Sequence, residues 1–277
     1  MSDGGLFLLI GILFVGLVIY YSSKSIGGNT VSFGKGATYE IDTENSIEKI
    51  VARKTDRIHR RSKIQSILPL HIEDEEHIGE PFGVVVDVET TGLISYDGTP
   101  TKKALKESPD AFPRIVEFAW FLFYTDEKRS DYSLGLGKSY IIRQEKEIPQ
   151  KAYSIHGIST ELSQQVGREI EDVLKEFSED ILDCGYLIGH NVMFDKRVIE
   201  SEFVRAGIQK PFRGFRNKDT MKLSAAMAGR NRPSLAYAKE TILPKNITDK
   251  LDGHVALDDC VASALLFAFS LKSGRKY

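Results

Sequence analysis

The stretch Gly83–Leu93, GVVVDVETTGL, limits what this chain can fold into more than any other. Val84, Val85, Val86 and Val88 have the β-branched side chains of a buried strand. Asp87 interrupts the run and Glu89 follows it by two, and residues two apart share one face of a strand. Two carboxylates side by side repel each other, and burying either without a partner is costly. If these acids are buried, something positive should sit between them.

The N-terminus is different in kind. From Gly4 to Ser23 there are 20 residues without a charge, including LFLLIGILFVGLVIYY. As a helix rising about 1.5 Å per residue this run spans the hydrocarbon core of a bilayer, with Tyr20 and Tyr21 at the level of an aromatic belt. A cleaved signal peptide wants a basic leader and a small-residue cleavage site. Only Asp3 precedes the run, so the expectation is an uncleaved, single-pass anchor over residues 1–23. The first bases, Lys24 and Lys35, follow it, which puts the remainder of the chain in the cytoplasm by the positive-inside rule.

Residues 24–79 read as a linker. Its first part, KSIGGNTVSFGKG, has the composition of a flexible exit from the membrane. Between Lys49 and Lys63 there follow seven bases and one acid. Lys49, Arg53, Arg57 and Arg60 recur at helical spacing, as do Ile47, Ile50, Val51 and Ile58. Two readings of residues 49–63 stay open: a solvated linker helix, or a helix resting on anionic lipid or nucleic acid. The acidic run EDEEH and Pro81 close the linker, and a globular domain is expected over residues 80–277. The net charge of −2 does not mark the chain as a nucleic-acid binder by bulk charge. Two cysteines, Cys184 and Cys260, provide no disulfide framework and lack metal-ligand spacing, so both read as core residues.

Within the domain, Gly83–Leu93, Arg114–Tyr124 and Lys138–Gln144 read as strands. Helical patterns follow over Thr160–Val166 and Ile170–Leu182, then a short buried strand over Gly185–Asn191. Met193–Ala206, the segment after Asp219 and the apolar ALDDCVASALLFAFSL read as helices; the last is too short for a second membrane span. Strands first, then strands alternating with helices, predict an α/β fold with a mixed sheet covered by helices.

Three further places carry chemistry. GHNVMFD puts Asp195 just beyond a buried strand, and HVALDD puts His254 five residues before Asp259. Taken singly each has a plainer explanation. Two acids at a strand end are usually solvated, Asp195 suits the positive end of a helix dipole, His254 is an ordinary surface histidine, and Asp258 and Asp259 are first-turn acids. Taken together, Asp87, Glu89, Asp195 and Asp259 make four carboxylates from three elements, which suits a hard divalent cation and no ordinary core.

DVETTG, GHNVMFD and HVALDD, in that order, resemble the three motifs of the DnaQ-like (DEDDh) 3′–5′ exonucleases. RIVEFAW resembles that family's second strand, and IPQKAYSIHGIS the segment before its first long helix. The resemblance covers roughly Pro81–Leu271. It implies an RNase H-like fold with a mixed five-stranded sheet flanked by helices. It also implies that Asp87, Glu89, Asp195 and Asp259 hold two Mg²⁺ or Mn²⁺ ions, with His254 as general base. The sibling subtype has a tyrosine four residues before the last acid, where this chain has Val255. By the same resemblance Thr91 and Gly92 lie against the terminal nucleotide, Leu93 wedges beneath its base, and His156 and Asn191 touch the substrate; His156 reads equally as a turn residue bonded to its own loop. The implied activity is release of 5′-mononucleotides from 3′ ends of single-stranded DNA or RNA. The alternative is a catalytically idle nucleic-acid-binding or scaffold protein that keeps the fold, and a DNA polymerase or repair partner stays unspecified. Two features depart from the family: the anchor at residues 4–23, and a long segment over residues 94–113 carrying Lys102, Lys103 and Lys106, read either as a grip on the strand or as a surface insertion.

Overall fold

The computed structural model describes residues 30–33, 37–40, 80–94, 105, 109–125, 132–135, 137–249 and 251–272. The expected anchor at 4–23, the basic segment 49–63 and Lys102, Lys103 and Lys106 lie outside the described residues. Among the described residues, no helix is long and apolar enough to cross a membrane. The chain divides into two units, Met1–Arg60 and Arg61–Tyr277. In the first, β1 (Thr30–Phe33) pairs antiparallel with β2 (Ala37–Glu40), Thr30 opposite Glu40. Composition suggested a flexible exit here; the alternating residues of TVSF and ATYE instead support a short strand pair.

The second unit is built on a sheet. β3 (Glu80–Thr90) lies antiparallel to β4 (Ile115–Thr125) on one side and parallel to β7 (Tyr186–Gly189) on the other, and β7 runs parallel to β8 (Arg216–Asp219). Along the outer edge of β4 lie β5 (Tyr132–Leu134) and β6 (Lys138–Ile141). Phe123 faces Leu134 and Trp120 faces Lys138, so between these pairs three positions on one side oppose two on β4. β5 and β6 are thus one strand broken by a bulge, and six strands fill the five positions expected. β3 ends at Thr90, short of the predicted Leu93, because the Thr90 hydroxyl turns to donate to the Gly92 carbonyl at 2.6 Å.

Helices cover both faces. Val84, Val86 and Val88 point with Phe118 and Trp120 toward α3 (Ile170–Asp180) and α4 (Met193–Arg205), forming one core. Ile170, Val173, Leu174 and Phe177 supply the apolar stripe of α3 at helical spacing. Val85, Ala119, Phe121 and Phe123 point the other way, into a core shared with α6 (Leu235–Ile242), α7 (Lys245–Thr248) and α8 (Ala256–Lys272). α8 is apolar around its girth because it is buried nearly all round, with every residue from Cys260 through Ala268 buried. Two short helices, α1 (Gln150–His156) and α2 (Thr160–Val166), pack beyond β4, and α5 (Thr220–Ala225) starts directly from β8. Gly157 ends α1 with φ 68°, and Ser159 caps α2 by accepting from the Leu162 amide at 3.1 Å.

Candidate active site

Asp87 and Glu89 share the face of β3 that carries Val85, the face that meets α8. The register sets Glu89 directly opposite Glu117 of β4. A third source is α4. Its first turn carries Asp195, buried, whose carboxylate accepts the Val88 amide at 3.3 Å. The fourth is α8, whose first turn carries Asp258 and Asp259. Ligand atoms of Glu89, His254 and Asp259 all lie within 4.8 Å of one another. The four carboxylates and the histidine picked out in the sequence therefore meet at one end of the sheet.

Their electrostatics follow from that crowding. Burial, then Asp195, Asp259, Glu89 and Glu117, hold the Asp87 carboxyl well above its ordinary range. Burial and the neighbouring Asp259, Glu117 and Asp195 push Glu89 up to about 8. Asp195 rises to about 7 through burial, although its own amide and that of Val88 bond to it. Asp259 also rises to about 7 through burial, against the pull of the His254 amide and the Lys239 charge. Burial and mutual repulsion favour the protonated acids, and the Lys239 charge offsets this only in part, at Asp259. A divalent cation with oxygen ligands is the counter-charge such a set fits.

The loop before α8 is fastened at three points. Lys239, buried in α6, donates from Nζ to the Leu251 carbonyl at 2.9 Å. Asp258 accepts the Asp252 amide at 2.9 Å, and Asp259 accepts the His254 amide at 3.1 Å. His254 is left exposed beside the carboxylates with φ 60°, a left-handed backbone that only such bracing holds in a non-glycine residue.

The predicted substrate contacts ring the same end. Thr91 bonds to Arg114 twice, its amide donating to the Arg114 carbonyl at 2.9 Å and its hydroxyl accepting the Arg114 amide at 3.0 Å. The turn leaves Leu93 80% exposed, and a side chain at Gly92 would meet nothing within 4 Å. His156 is buried at the end of α1 with Nδ1 accepting the Ile158 amide at 3.1 Å, the bond of a turn residue. Burial lowers its pKa, and so does His254, while the Thr90 backbone opposes them, so the ring also borders the site. Asn191 sits exposed at the end of β7 with φ 63°, its amide donating to Asp219 at 2.9 Å.

Sequence reasoning missed Glu117 and Lys239. Glu117 is an acid inside an apolar strand, the same signal that drew attention to Asp87; its oxygen accepts the Ser139 hydroxyl at 2.8 Å. Lys239 looks like any helix lysine in the sequence, and only the packing of α6 buries it. Both cysteines are buried, as expected, and burial pushes the Cys184 thiol up to about 12.

The exonuclease (RNase_T) family profile matches residues 84–267. The chain belongs to this exonuclease family. The match bears out the resemblance to the DnaQ-like exonucleases with their RNase H-like fold. Two E. coli exonuclease I structures are similar in fold. The complex with a dA16 oligonucleotide has 17% identity, covers 70% of this chain and 41% of that one, and has a TM-score of 0.50. The zinc-bound complex with single-stranded DNA has 19% identity, the same coverages and a TM-score of 0.50. Exonuclease X, solved with 5′ overhanging duplex DNA, has 21% identity over 70% of this chain and 93% of that one, with a TM-score of 0.43. The chain thus spans less than half of exonuclease I. No curated protein matches it.

Proposed function

We propose that this exonuclease removes 5′-mononucleotides from the 3′ ends of single-stranded DNA or RNA. In this reading Asp87, Glu89, Asp195 and Asp259 hold two Mg²⁺ or Mn²⁺ ions and His254 is the general base. The observation that carries it is the meeting of these five side chains, with raised carboxyl proton affinities, in a chain of the exonuclease family. The ions, when bound, supply the charge that polarises a phosphodiester and lowers the proton affinity of water.

The protein's own residues do the rest. The Val88 amide and the start of α4 orient Asp195, and the His254 amide orients Asp259. His254, exposed beside the carboxylates, takes the proton of the attacking water. Thr91 and Gly92 offer backbone to the terminal nucleotide, and exposed Leu93 offers an apolar surface to its base. Asn191 and His156 border the same place. Residues 4–23 tether the enzyme as a single-pass anchor with the catalytic unit in the cytoplasm; a protein extracted by alkaline carbonate would contradict that tether.

The purified protein is expected to shorten a 5′-labelled single strand from its 3′ end, to stop in EDTA, and to lose at least about a hundredfold in rate on Asp259→Asn or His254→Ala. Undiminished cleavage in chelator would rule the mechanism out. Binding of the strand without cleavage at any metal concentration would return the idle scaffold reading.

A further inference from the structure

From Arg205 to Arg232 the chain has eight basic residues and one acidic residue, in a protein of net charge −2. The acid is already engaged: Asp219 accepts the amides of Asn191 at 2.9 Å and Met221 at 3.1 Å. Part of this surplus is carried to the active-site end by the loop joining α5 to α6. The loop is pinned there through His190, the residue just before Asn191. One ring nitrogen of His190 bonds to the Thr220 hydroxyl at 3.1 Å and the other to the Pro233 carbonyl at 2.9 Å.

Immediately before Pro233 stand Arg230, Asn231 and Arg232, all exposed. Among the described residues neither arginine forms an ion pair. Arg232 has φ 52° and Gly229 φ 61°. A left-handed arginine costs about 1 kcal/mol or more, and the His190 bond to the next residue helps hold it. The Arg230 guanidinium lies 5.1 Å from the ring centre of Tyr237, which is itself 40% exposed. Two planar cations that, among the described residues, pair with no carboxylate, beside a part-exposed tyrosine ring, are the parts that bind phosphates and stack an unpaired base.

We propose that Arg230, Arg232 and Tyr237 form a shelf for the phosphodiester backbone of a single strand upstream of its 3′ end. The inference rests on the exonuclease reading and adds to it a second point of grip. Charge at this shelf makes binding depend on salt, because each phosphate neutralised on a single strand contributes about −0.7 to the slope of log affinity against log salt.

The test is equilibrium binding of a fluorescent single-stranded oligonucleotide to the full chain in EDTA, over a range of KCl. Chelation removes turnover, so the shelf is read apart from the activity. The double variant R230Q/R232Q is expected to weaken binding about tenfold near physiological salt and to flatten the slope by roughly 1.4. Tyr237→Ala should weaken binding severalfold with the slope unchanged. Lys175→Gln, on the remote surface of α3, serves as the control for loss of charge. Equal affinity and slope in R230Q/R232Q and the wild type would overturn the shelf. Loss of the exonuclease reading is a separate result, seen as absence of Mg²⁺-dependent shortening while the salt slope still reports on the shelf.

Discussion

Asp258 and Asp259 are neighbours in the first turn of α8, and their side chains face different tasks. Asp258 is buried and ties down the Asp252 amide; Asp259 faces Glu89 and holds the His254 amide. With Lys239 on the Leu251 carbonyl, they brace the loop that ends at His254. Lys239 touches none of the reacting groups on this account, so it is a positioning residue. Replacing it with methionine keeps most of the apolar stem and removes the hydrogen bond. The expected result for Lys239→Met is a kcat lower by about tenfold with KM for the strand little changed, since misplacing a catalytic group by a fraction of an ångström suffices for that. Steady-state kinetics check it, and an unaltered kcat would mean the loop holds itself.

At the scale of elements, the site depends on how closely β3 meets β7. Gly83 sits opposite Tyr186, and a β-carbon there would come 2.5 Å from the Tyr186 carbonyl oxygen and 2.9 Å from its Cβ. Backbone cannot yield as a flexible side chain can. Gly83→Ala is therefore expected to destabilise the fold by about 2 to 3 kcal/mol, read as an earlier midpoint in urea. Because β7 leads into α4 and Asp195, the same variant should need more Mg²⁺ for half-maximal activity. The opposite case is the turn after β3. Leu93 is exposed, so Leu93→Ser is expected to leave the urea midpoint within experimental error while raising KM severalfold for a short strand. A clear loss of stability would show that Leu93 packs rather than waits for a base.

For the whole molecule the acids set a pH dependence of stability. Glu89 titrates at about 8, and Asp195 and Asp259 at about 7, all raised first by burial. An unfolded carboxyl titrates near 4. Between these values the folded chain holds more protons than the unfolded one, so stability falls as pH rises toward about 8. Paired acids elsewhere do not mask this. Glu176 is brought down to about 2, despite burial, by bonds from Tyr140, Lys138 and Arg168, and stays ionised throughout. In EDTA the Tm is expected to drop from about pH 5.5 to 8.5, and Mg²⁺ should raise it most at the upper end, where the carboxylates are free to ligate. A Tm in EDTA that is flat over this range would contradict the crowding of charges described above.

Much of this molecule was legible in its residues. The period-two spacing of Asp87 and Glu89 already placed both on one face, and the helical periods of α3 and α4 were plain, because each depends only on local geometry. β8 was not legible: RNKD has no strand pattern, and it is a strand only because β7 offers it an edge. The bulge between β5 and β6, Glu117 opposite Glu89 and the burial of Lys239 were hidden for the same reason. Local spacing determines which side of an element a residue occupies. Which residues face each other across elements distant in sequence is decided by packing, and packing brought five carboxylates and a braced histidine into one place.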